Sequence, residues 1–410
     1  MSEPSQSSGT DRIENLDVLR GFALLGILLV NAAGFAFPPD VSLSIATPPF
    51  APATLPDWFA AWGVHVLAEG KFVSLFSMLF GISLFLVGGG SPDDRSARAA
   101  GGRRLLSRLF WLGLFGIAHG ALLWFGDILL FYAVAGLLVL PVRHWRGRRL
   151  CIAGAVLIGL GLVLYGLPAW LLGQVDPGLA QQVFAGPVPE DLQAQAEAMR
   201  GSMGAAAAQG FDFWVEWGLG SVLFFAPLTA GLMMVGLGLF KSGFFHGHWQ
   251  TRSYLALMGL GMVALGLIAA QTQANATAGY DPVHMMTGGF VTNLALAPLV
   301  TLAYAAAIIL GLRAGRLGLL RQWLEPVGRL ALTNYIGQTL IMTTLFLGWR
   351  GFGLYGQVDR AALLGICVAV WVVQILFSRW YRDRYEQGPL EWAWRCLTDG
   401  RRYPFRRRMA

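Results

Sequence analysis

The chain has 410 residues, of which 55% are hydrophobic and only 13% charged, and its mean hydropathy is +0.56. This composition excludes an ordinary soluble protein and predicts a polytopic membrane protein. A net charge of +7 would suggest nucleic acid in a soluble protein, but the arginines here stand beside apolar runs. We therefore expect topology signals and contacts with membrane lipid, and no nucleic acid partner. Three widely spaced cysteines indicate neither a metal site nor a disulfide framework.

A membrane-spanning helix needs about 20 mostly apolar residues. On that criterion we predict about ten spans, the fourth of them short because Pro141 limits it. The predicted spans are 16–37, 72–88, 105–124, 128–142, 150–172, 217–240, 254–271, 290–312, 327–348 and 361–381. We expect an all-α polytopic protein with a single transmembrane domain over 1–410 and a helical bundle over 13–381.

The distribution of positive charge predicts the orientation. With the N-terminus placed in the cytoplasm and the spans alternating, all but four of the 30 Lys and Arg residues fall in inner segments. The four outer ones are Lys71, Arg200, Arg350 and Arg360. Both termini are therefore expected to be cytoplasmic.

The first span, LDVLRGFALLGILLVN, carries polar groups at both ends. Asp17 and Arg20 lie three residues apart on one face of its inner end. They form either a local salt bridge that sets orientation or a site where Arg20 receives a phosphate from the cytoplasm. Asn31 lies at the outer end, where an amide either donates to a developing oxyanion or bonds a neighbouring helix.

The outer segment 38–70 ends in a short helical pattern with two tryptophans, His65 and Glu69 on one stripe. This pattern is typical of an interfacial helix, and it also places His65 and Glu69 where they could line an outer site. Glu69 and Lys71 flank Gly70, so they form either an ion pair or a contact to substrate.

The third span places His119 toward the outside, and Asp127 follows at the outer turn into the fourth span. Histidine exchanges a proton near neutral pH, and a carboxylate nearby can fix its tautomer. Two structural interpretations stand beside the catalytic one. Asp127 follows Gly126 and precedes a helix, which is typical of an N-cap, and His119 could bond a neighbouring helix.

Two further segments stand outside the spans. The long outer loop 173–214 is acidic and partly helical, so it is either a cap over the outer face or a solvated connector. After Gly388 and Pro389 the segment 388–398 predicts an amphipathic helix on the cytoplasmic surface.

Five blocks together resemble the YeiB-like bacterial membrane proteins, also called domain of unknown function 418. They read RIENLDVLRGFALLGILLVN, GKFVSLFSMLFG, GIAHGALLWFGDILLFYAVAGLL, GRLALTNYIGQT and GPLEWAWRCLT, in order from residue 12 to 398. The resemblance implies a multi-pass protein of the bacterial cytoplasmic (inner) membrane.

The LDxLRG opening is also similar, more distantly, to that of transmembrane acyltransferases. These include the family that O-acylates surface sugars and the heparan-α-glucosaminide N-acetyltransferase family. The sugar enzymes typically have a histidine eleven residues after the motif arginine, where this chain has Asn31, as the amine acetyltransferases do. The latter have their histidine in the following outer loop, where His65 is the only one here.

Two functions remain open beside a structural or assembly role in the envelope. The first is an acyltransferase that moves an acyl group from a cytoplasmic thioester donor, acyl-CoA, to a small-molecule, glycan or lipid acceptor at the outer face. His119 and Asp127 would be catalytic, while Asp17, Arg20, Asn31, His65, Glu69 and Lys71 would bind substrate. The second is a small-molecule or lipid transporter without chemistry. No tightly bound cofactor is expected, and the sequence leaves oligomerisation open.

Overall fold

The computed structural model describes residues 14–42, 46–90 and 95–405. The first residue of the predicted bundle, residue 13, and the first two residues of the block 12–31 lie outside the described residues. Within the described part, all regular secondary structure is helical, with no strand. The predicted all-α class is therefore confirmed.

The structure contains 17 α-helices in its described part, here numbered in chain order. They are α1 (Glu14–Ala36), α2 (Leu55–Leu67), α3 (Lys71–Val87), α4 (Arg95–Leu122), α5 (Leu129–Val139), α6 (Gly147–Val175), α7 (Pro177–Phe184), α8 (Pro189–Arg200), α9 (Met203–Phe213), α10 (Gly220–Lys241), α11 (Thr251–Thr277), α12 (Pro282–His284), α13 (Phe290–Arg313), α14 (Gly318–Arg329), α15 (Ala331–Phe346), α16 (Arg360–Arg382) and α17 (Pro389–Asp399). Two π-helical segments, Trp214–Leu219 and Met285–Gly289, join α9 to α10 and α12 to α13.

Eight helical stretches of the described chain are long and apolar enough to cross a membrane. The predicted number of about ten is therefore approximate, because the fourth and ninth predicted spans correspond to shorter helices. The helix α5 has 11 residues and tightens into a 3-10 segment around Pro141, which cannot continue an α-helix. The helix α15 has 16 residues, or roughly 24 Å at about 1.5 Å each, because the helical path breaks at Leu330 before it and is extended at Leu347 after it.

The first helix lies at the centre of the bundle. It packs against α3, α14, α15 and α16. Leu19 and Leu24 are fully buried in the core at one end, and Leu28 and Phe35 belong to a second core cluster toward the other end. The first predicted span is thus buried by protein on several sides.

Glycines allow α1 to approach α14 closely. A Cβ atom added at Gly328 would lie only 1.9 Å from the carbonyl oxygen of Asp17, and one added at Gly21 would lie 2.1 Å from that of Leu324. Neither position has room for a larger side chain. This close crossing brings the inner end of α1 next to α14 and so places Asp17 near the last turn of α14.

We call the end of the bundle with the N-terminus of α1 the inner end, and the opposite end the outer end, following the orientation predicted from charge. Basic segments meet at the inner end. The amide of Asn15 donates to the carbonyl of Phe245 at 3.3 Å, and the amine of Lys241 donates to the carbonyl of Arg143 at 2.8 Å. The cationic loops that determined the predicted orientation thus lie together in space.

The predicted amphipathic helix 388–398 corresponds to α17, which packs on the bundle. The indole N–H of Trp394 donates to the carbonyl of Arg108 at 2.9 Å, and Arg104 pairs with Asp399 through Nε at 2.7 Å. The apolar face of α17 is therefore covered mainly by protein.

The outer segment 173–214 is mostly helical and packs on the outer end. Leu192, Ala196 and Met199 on one face of α8 are buried. Arg200 at the end of α8 donates to the carbonyl of Tyr355 at 2.7 Å. Residues 182–184, 186 and 187 also form part of a cavity wall described below, so this segment is not a free connector.

Candidate functional site

Three polar side chains form a buried chain of hydrogen bonds between α4, α15 and the turn before α5. The imidazole Nδ1 of His119 lies 3.0 Å from Oδ1 of Asp127, and its Nε2 lies 2.9 Å from the hydroxyl of Thr339. His119 and Asp127 are each 3% exposed, and Thr339 is 1% exposed. The arrangement places a hydroxyl, an imidazole and a carboxylate in the order found in nucleophilic hydrolases.

Asp127 serves two purposes at once. Its Oδ2 accepts the backbone N–H of Leu130 at 2.8 Å, which caps the first turn of α5, while Oδ1 faces His119. The N-cap interpretation and the histidine-partner interpretation are therefore compatible. With the carboxylate accepting from Nδ1–H, the neutral imidazole presents Nε2 as an acceptor to the hydroxyl of Thr339.

Tyr335 lies against this triad. Its ring centre is 5.1 Å from that of His119, and its hydroxyl donates to the carbonyl of Gly126 at 3.3 Å. It also accepts the N–H of Ile128 at 3.3 Å. Tyr335 thus fixes the turn that carries Asp127.

A cavity of about 1020 Å³ lies at the outer end of the bundle. Its walls come from the outer parts of α1, α2, α6 and α16, from α7 and from both π-helical segments. Aromatic residues form much of its apolar lining: Trp124, Phe125, Tyr165, Trp217, Phe224, Phe225 and Phe290. Its size is at the upper end of the range of small-molecule sites, about 300–1,000 Å³.

Three of the predicted substrate-binding residues line this outer cavity: Asn31, His65 and Glu69. The Nδ1 atom of His65 lies 2.6 Å from Oε2 of Glu69 one turn later on the chain. Lys71 is fully buried behind the wall, where its amine donates to Asn293 at 2.6 Å and to the carbonyl of His65 at 3.1 Å. Glu69 therefore pairs with His65, and Lys71 joins α3 to α13.

Two further carboxylates line the outer cavity, Asp40 and Glu216. Asp40 lies on a 3-10 turn after α1, outside the spans. Burial, with a smaller contribution from the negative charge of Glu216, raises the pKa of Asp40 to about 6. This carboxyl group is thus poised to change charge at mildly acidic pH.

Arg360 also lines the outer cavity, from the first turn of α16. It is only 9% exposed, and its guanidinium lies over the ring of Phe37 at 5.2 Å. Among the described residues, neither its Nε nor its Nη2 atom has a hydrogen-bond partner. Its own backbone N–H donates to Oδ1 of Asp57, and the negative charge of Asp57 also attracts its guanidinium.

A second cavity, of about 360 Å³, lies toward the inner end. Arg20, Arg108, Arg329 and Glu391 line it, together with apolar side chains of α1, α3 and α5. Arg20 pairs with Asp17 at 2.7 Å and bonds Ser83 at 3.1 Å. Asp17 also pairs with Arg329 at 3.3 Å, which links α1 to α14.

The triad lies between the two cavities without lining either of them. Ile128 and Tyr335 line the inner cavity, while Gly126 lines the outer one. His119 contacts Tyr335, one of the residues that separate the two cavities. The predicted residues therefore fall into three groups: Asp17 and Arg20 at the inner cavity, His119 and Asp127 in the middle, and the others at or behind the outer cavity.

Comparison with known proteins gives the family. A family model described as a protein of unknown function, DUF418, matches residues 239–401. The chain is 32% identical to the uncharacterized protein YeiB of Escherichia coli (strain K12), over 95% of this chain and 96% of that protein. The chain belongs to the YeiB-like DUF418 family.

Two other relatives extend the YeiB-like family to bacilli. Identity is 29% to the uncharacterized protein YxaH of Bacillus subtilis (strain 168), over 97% of both chains. It is 25% to an uncharacterized 39.9 kDa protein in the amylase 3′ region of Bacillus acidopullulyticus, over 96% of both.

Sequence reasoning missed four residues that the YeiB-like fold brings to these sites: Asp40, Glu216, Thr339 and Arg360. Two of them had a signal. Arg360 is one of only four cations in predicted outer segments. Thr339 ends the block GRLALTNYIGQT that carried part of the family resemblance, and it lies within the matched segment 239–401.

Proposed function

We propose that this membrane protein is an acyltransferase that moves an acyl group from a cytoplasmic thioester donor to an acceptor at the outer face. The observation that carries the proposal is the position of the Thr339–His119–Asp127 triad, buried between an arginine-lined inner cavity and a larger outer cavity. A reaction across a bilayer needs a reactive group that both compartments can approach, and the triad is a buried polar group in the layer between the two cavities.

His119 is the general base in this mechanism. Its Nε2 takes the proton of the attacking hydroxyl or amine, and Asp127 holds the Nδ1–H tautomer and stabilises the imidazolium. The attacking atom forms the new bond to the thioester carbonyl carbon, and the C–S bond breaks. The departing sulfur then takes the proton from His119, which leaves a free thiol and the acylated acceptor.

Thr339 now occupies the position in which the acceptor group would meet His119. Its hydroxyl would serve in one of two ways: it receives the acyl group first and passes it on, or it yields its hydrogen bond to the incoming acceptor. Trapping an ester on Thr339 separates these routes.

The donor would bind at the inner end, in the predicted cytoplasm. Arg20 and Arg108 at the inner cavity would receive the phosphates of acyl-CoA, because guanidinium groups bind phosphate through paired N–H donors. The cavity is too small for the whole donor, so only the acyl and thioester part would enter toward Tyr335. This assignment places the protein in the bacterial cytoplasmic membrane with both termini inside.

The acceptor, a small molecule, glycan or lipid, would bind in the outer cavity. Asn31 at the end of α1 and the His65–Glu69 pair would hold its polar groups. The aromatic walls suit an acceptor with an apolar part.

The second candidate function is transport of a small molecule or lipid without chemistry. It draws support from the two π-helical segments, which interrupt α-helical hydrogen bonding beside the outer cavity. Such interruptions frequently occur at functional sites in membrane helices.

The test uses purified full-length protein in lipid nanodiscs with radiolabelled acetyl-CoA and a bacterial lipid extract as acceptor. We expect the His119→Ala variant to lose about 10²- to 10⁴-fold in transfer rate, as expected for removal of a general base. His284→Ala, at the outer end and outside the outer-cavity lining, is the matched control and should retain its rate.

Full activity of His119→Ala would contradict the role of His119. Absence of thiol release by the wild-type protein, combined with flux of unmodified solute in proteoliposomes, would favour transport instead.

A further inference from the structure

The guanidinium of Arg360 is buried at the outer cavity with unsatisfied hydrogen-bond donors. A buried charge without a partner is costly, and buried polar groups in native proteins are almost always bonded. Arg360 is only 9% exposed, yet its Nε and Nη2 atoms have no hydrogen-bond partner among the described residues.

A second buried outer cation gives the internal comparison. Lys71 is fully buried, and its amine donates to the carbonyl of His65 and to the amide oxygen of Asn293. The fold therefore satisfies one buried outer cation with its own groups and leaves the other facing a cavity of about 1020 Å³. A shortage of polar groups at this end therefore does not explain why the Nε and Nη2 atoms of Arg360 lack hydrogen-bond partners.

The carboxylates nearest to Arg360 in sequence and space are already occupied. Asp57 accepts the backbone N–H of Arg360 with one oxygen and that of Ala53 with the other at 3.0 Å. Asp359 accepts the N–H of Ala362 at 2.6 Å as the N-cap of α16. Asp57 attracts the guanidinium electrostatically, but both carboxylates accept backbone N–H groups and neither bonds the Nε or Nη2 atom of Arg360.

The lining of the outer cavity indicates the chemistry of the rest of the solute. Around the same cavity lie the apolar side chains of Leu363 and Leu364 on α16 and the aromatic walls of α10 and the α4–α5 turn. A solute that fills it must present a hydrocarbon part to these walls and an anionic oxygen group to Arg360. The positive end of the α16 macrodipole adds to the attraction for an anion.

We propose that the outer cavity binds an anionic amphiphile, with a phosphate or carboxylate head on Arg360 and a hydrocarbon tail along the aromatic walls. The binding site stands on the geometry alone. That its occupant is the acyl acceptor, an anionic lipid or lipid-linked molecule, rests on the function proposed above.

The test measures binding to full-length protein in nanodiscs of phosphatidylcholine, without acyl-CoA. Dodecyl phosphate, dodecanoate and dodecanol share one tail and differ in the head, and inorganic phosphate supplies the head without a tail. We expect the wild-type protein to bind at least one of the two anionic probes about tenfold or more tightly than dodecanol. Inorganic phosphate should bind far more weakly than dodecyl phosphate.

Substitution then locates the head. Arg360→Gln should weaken binding of the anionic probe by about 10- to 100-fold, the effect of losing a charge-assisted hydrogen bond. The affinity of Arg360→Lys for the anionic probe should fall between those of the wild type and Arg360→Gln, because lysine keeps the charge and lacks the planar guanidinium. Arg350→Gln is the matched control, since it removes another outer arginine that does not line the cavity.

Equal affinity for dodecanol and the anionic probes would overturn the proposal, and so would an Arg360→Gln variant that binds like the wild type. Inorganic phosphate binding as tightly as dodecyl phosphate would show a site for free anions instead. If Arg360→Gln does not fold, the head-group comparison on wild-type protein decides. Binding that depends on Arg360 in a protein that transfers no acyl group would keep this inference and contradict the proposed function.

Discussion

Arginines at the two ends of the bundle differ in their partners. At the inner end, Arg20 and Arg329 share the carboxylate of Asp17, and the cavity between them is about 360 Å³. At the outer end, Arg360 faces a cavity of about 1020 Å³ and has two nitrogen atoms without a partner in the described chain. Asp17 and its two arginines join α1 to α14, whereas Arg360 is the cation for which we propose a bound solute. Removing the Asp17 carboxylate should therefore change stability, whereas removing the Arg360 guanidinium should change binding.

The largest effect is expected at Asp17. Asp17→Ala should lower the free energy of unfolding by about 2–4 kcal/mol, because it leaves two partly buried arginines without their shared carboxylate. Unfolding in mixed micelles, followed by circular dichroism, measures this change. Arg360→Gln in the same assay, without added ligand, should not lower stability. A larger loss of unfolding free energy in Arg360→Gln than in Asp17→Ala would contradict this difference between the two ends.

Much of this architecture follows from the sequence. Long apolar runs predict the eight long helices, and the turn Gly126–Asp127 predicts that Asp127 lies near the end of the helix that carries His119. These features depend on residues close in the chain, where periodicity and capping rules apply. The start of α15 at the break after Leu330 was missed, because its first N–H groups are capped by Glu391, which is distant in the sequence.

The partners that complete the site depend on contacts that are distant in sequence. Thr339 is separated from His119 by 220 residues, and Lys71 from Asn293 by 222. No local pattern specifies that the hydroxyl of Thr339 meets His119 or that the amide of Asn293 meets Lys71. The lack of a hydrogen-bond partner for Nε and Nη2 of Arg360 is harder still to predict, because it depends on where the neighbouring acceptors point.

A smaller effect is expected at Glu391 on α17. Its Oε1 atom accepts the N–H groups of Leu332 at 2.7 Å and Thr333 at 3.0 Å, and so caps the start of α15. Glu391→Ala should lower the free energy of unfolding by about 1–2 kcal/mol, because two N–H donors lose their acceptor.

Glu391→Gln distinguishes the stabilisation that comes from the capping hydrogen bonds from any that comes from the negative charge. Burial raises the pKa of Glu391, which shows that the fold does not favour its charged form. The amide oxygen of glutamine can accept the same two N–H groups, so this variant should retain most of the stability. An equal loss in both variants would mean that the carboxylate charge, rather than the cap, stabilises this end.

The smallest effect concerns Asp40 at the outer cavity. Burial beside Glu216 raises the pKa of Asp40 from 3.8 to about 6 in the folded protein. The folded state thus binds a proton more tightly than the unfolded state does. The resulting stability is fully present below about pH 4 and is lost as the pH rises through about 6. Because Asp40 is partly exposed, we expect a loss of about 1 kcal/mol over this interval.

Asp40→Asn should flatten this part of the pH profile and leave the protein more stable than the wild type at pH 7. Thermal denaturation of both proteins between pH 4 and 7 measures the difference, with Asp176→Asn on the exposed start of α7 as the control.

The titration of Asp40 also affects ligand binding, since its protonation removes a negative charge from the cavity that contains Arg360. On lowering the pH from 7 to 5, the affinity for dodecyl phosphate should therefore gain more, or lose less, in the wild type than in Asp40→Asn, where the probe's own titration remains. Identical pH profiles for both proteins would show that Asp40 does not contribute to the electrostatics of the outer cavity.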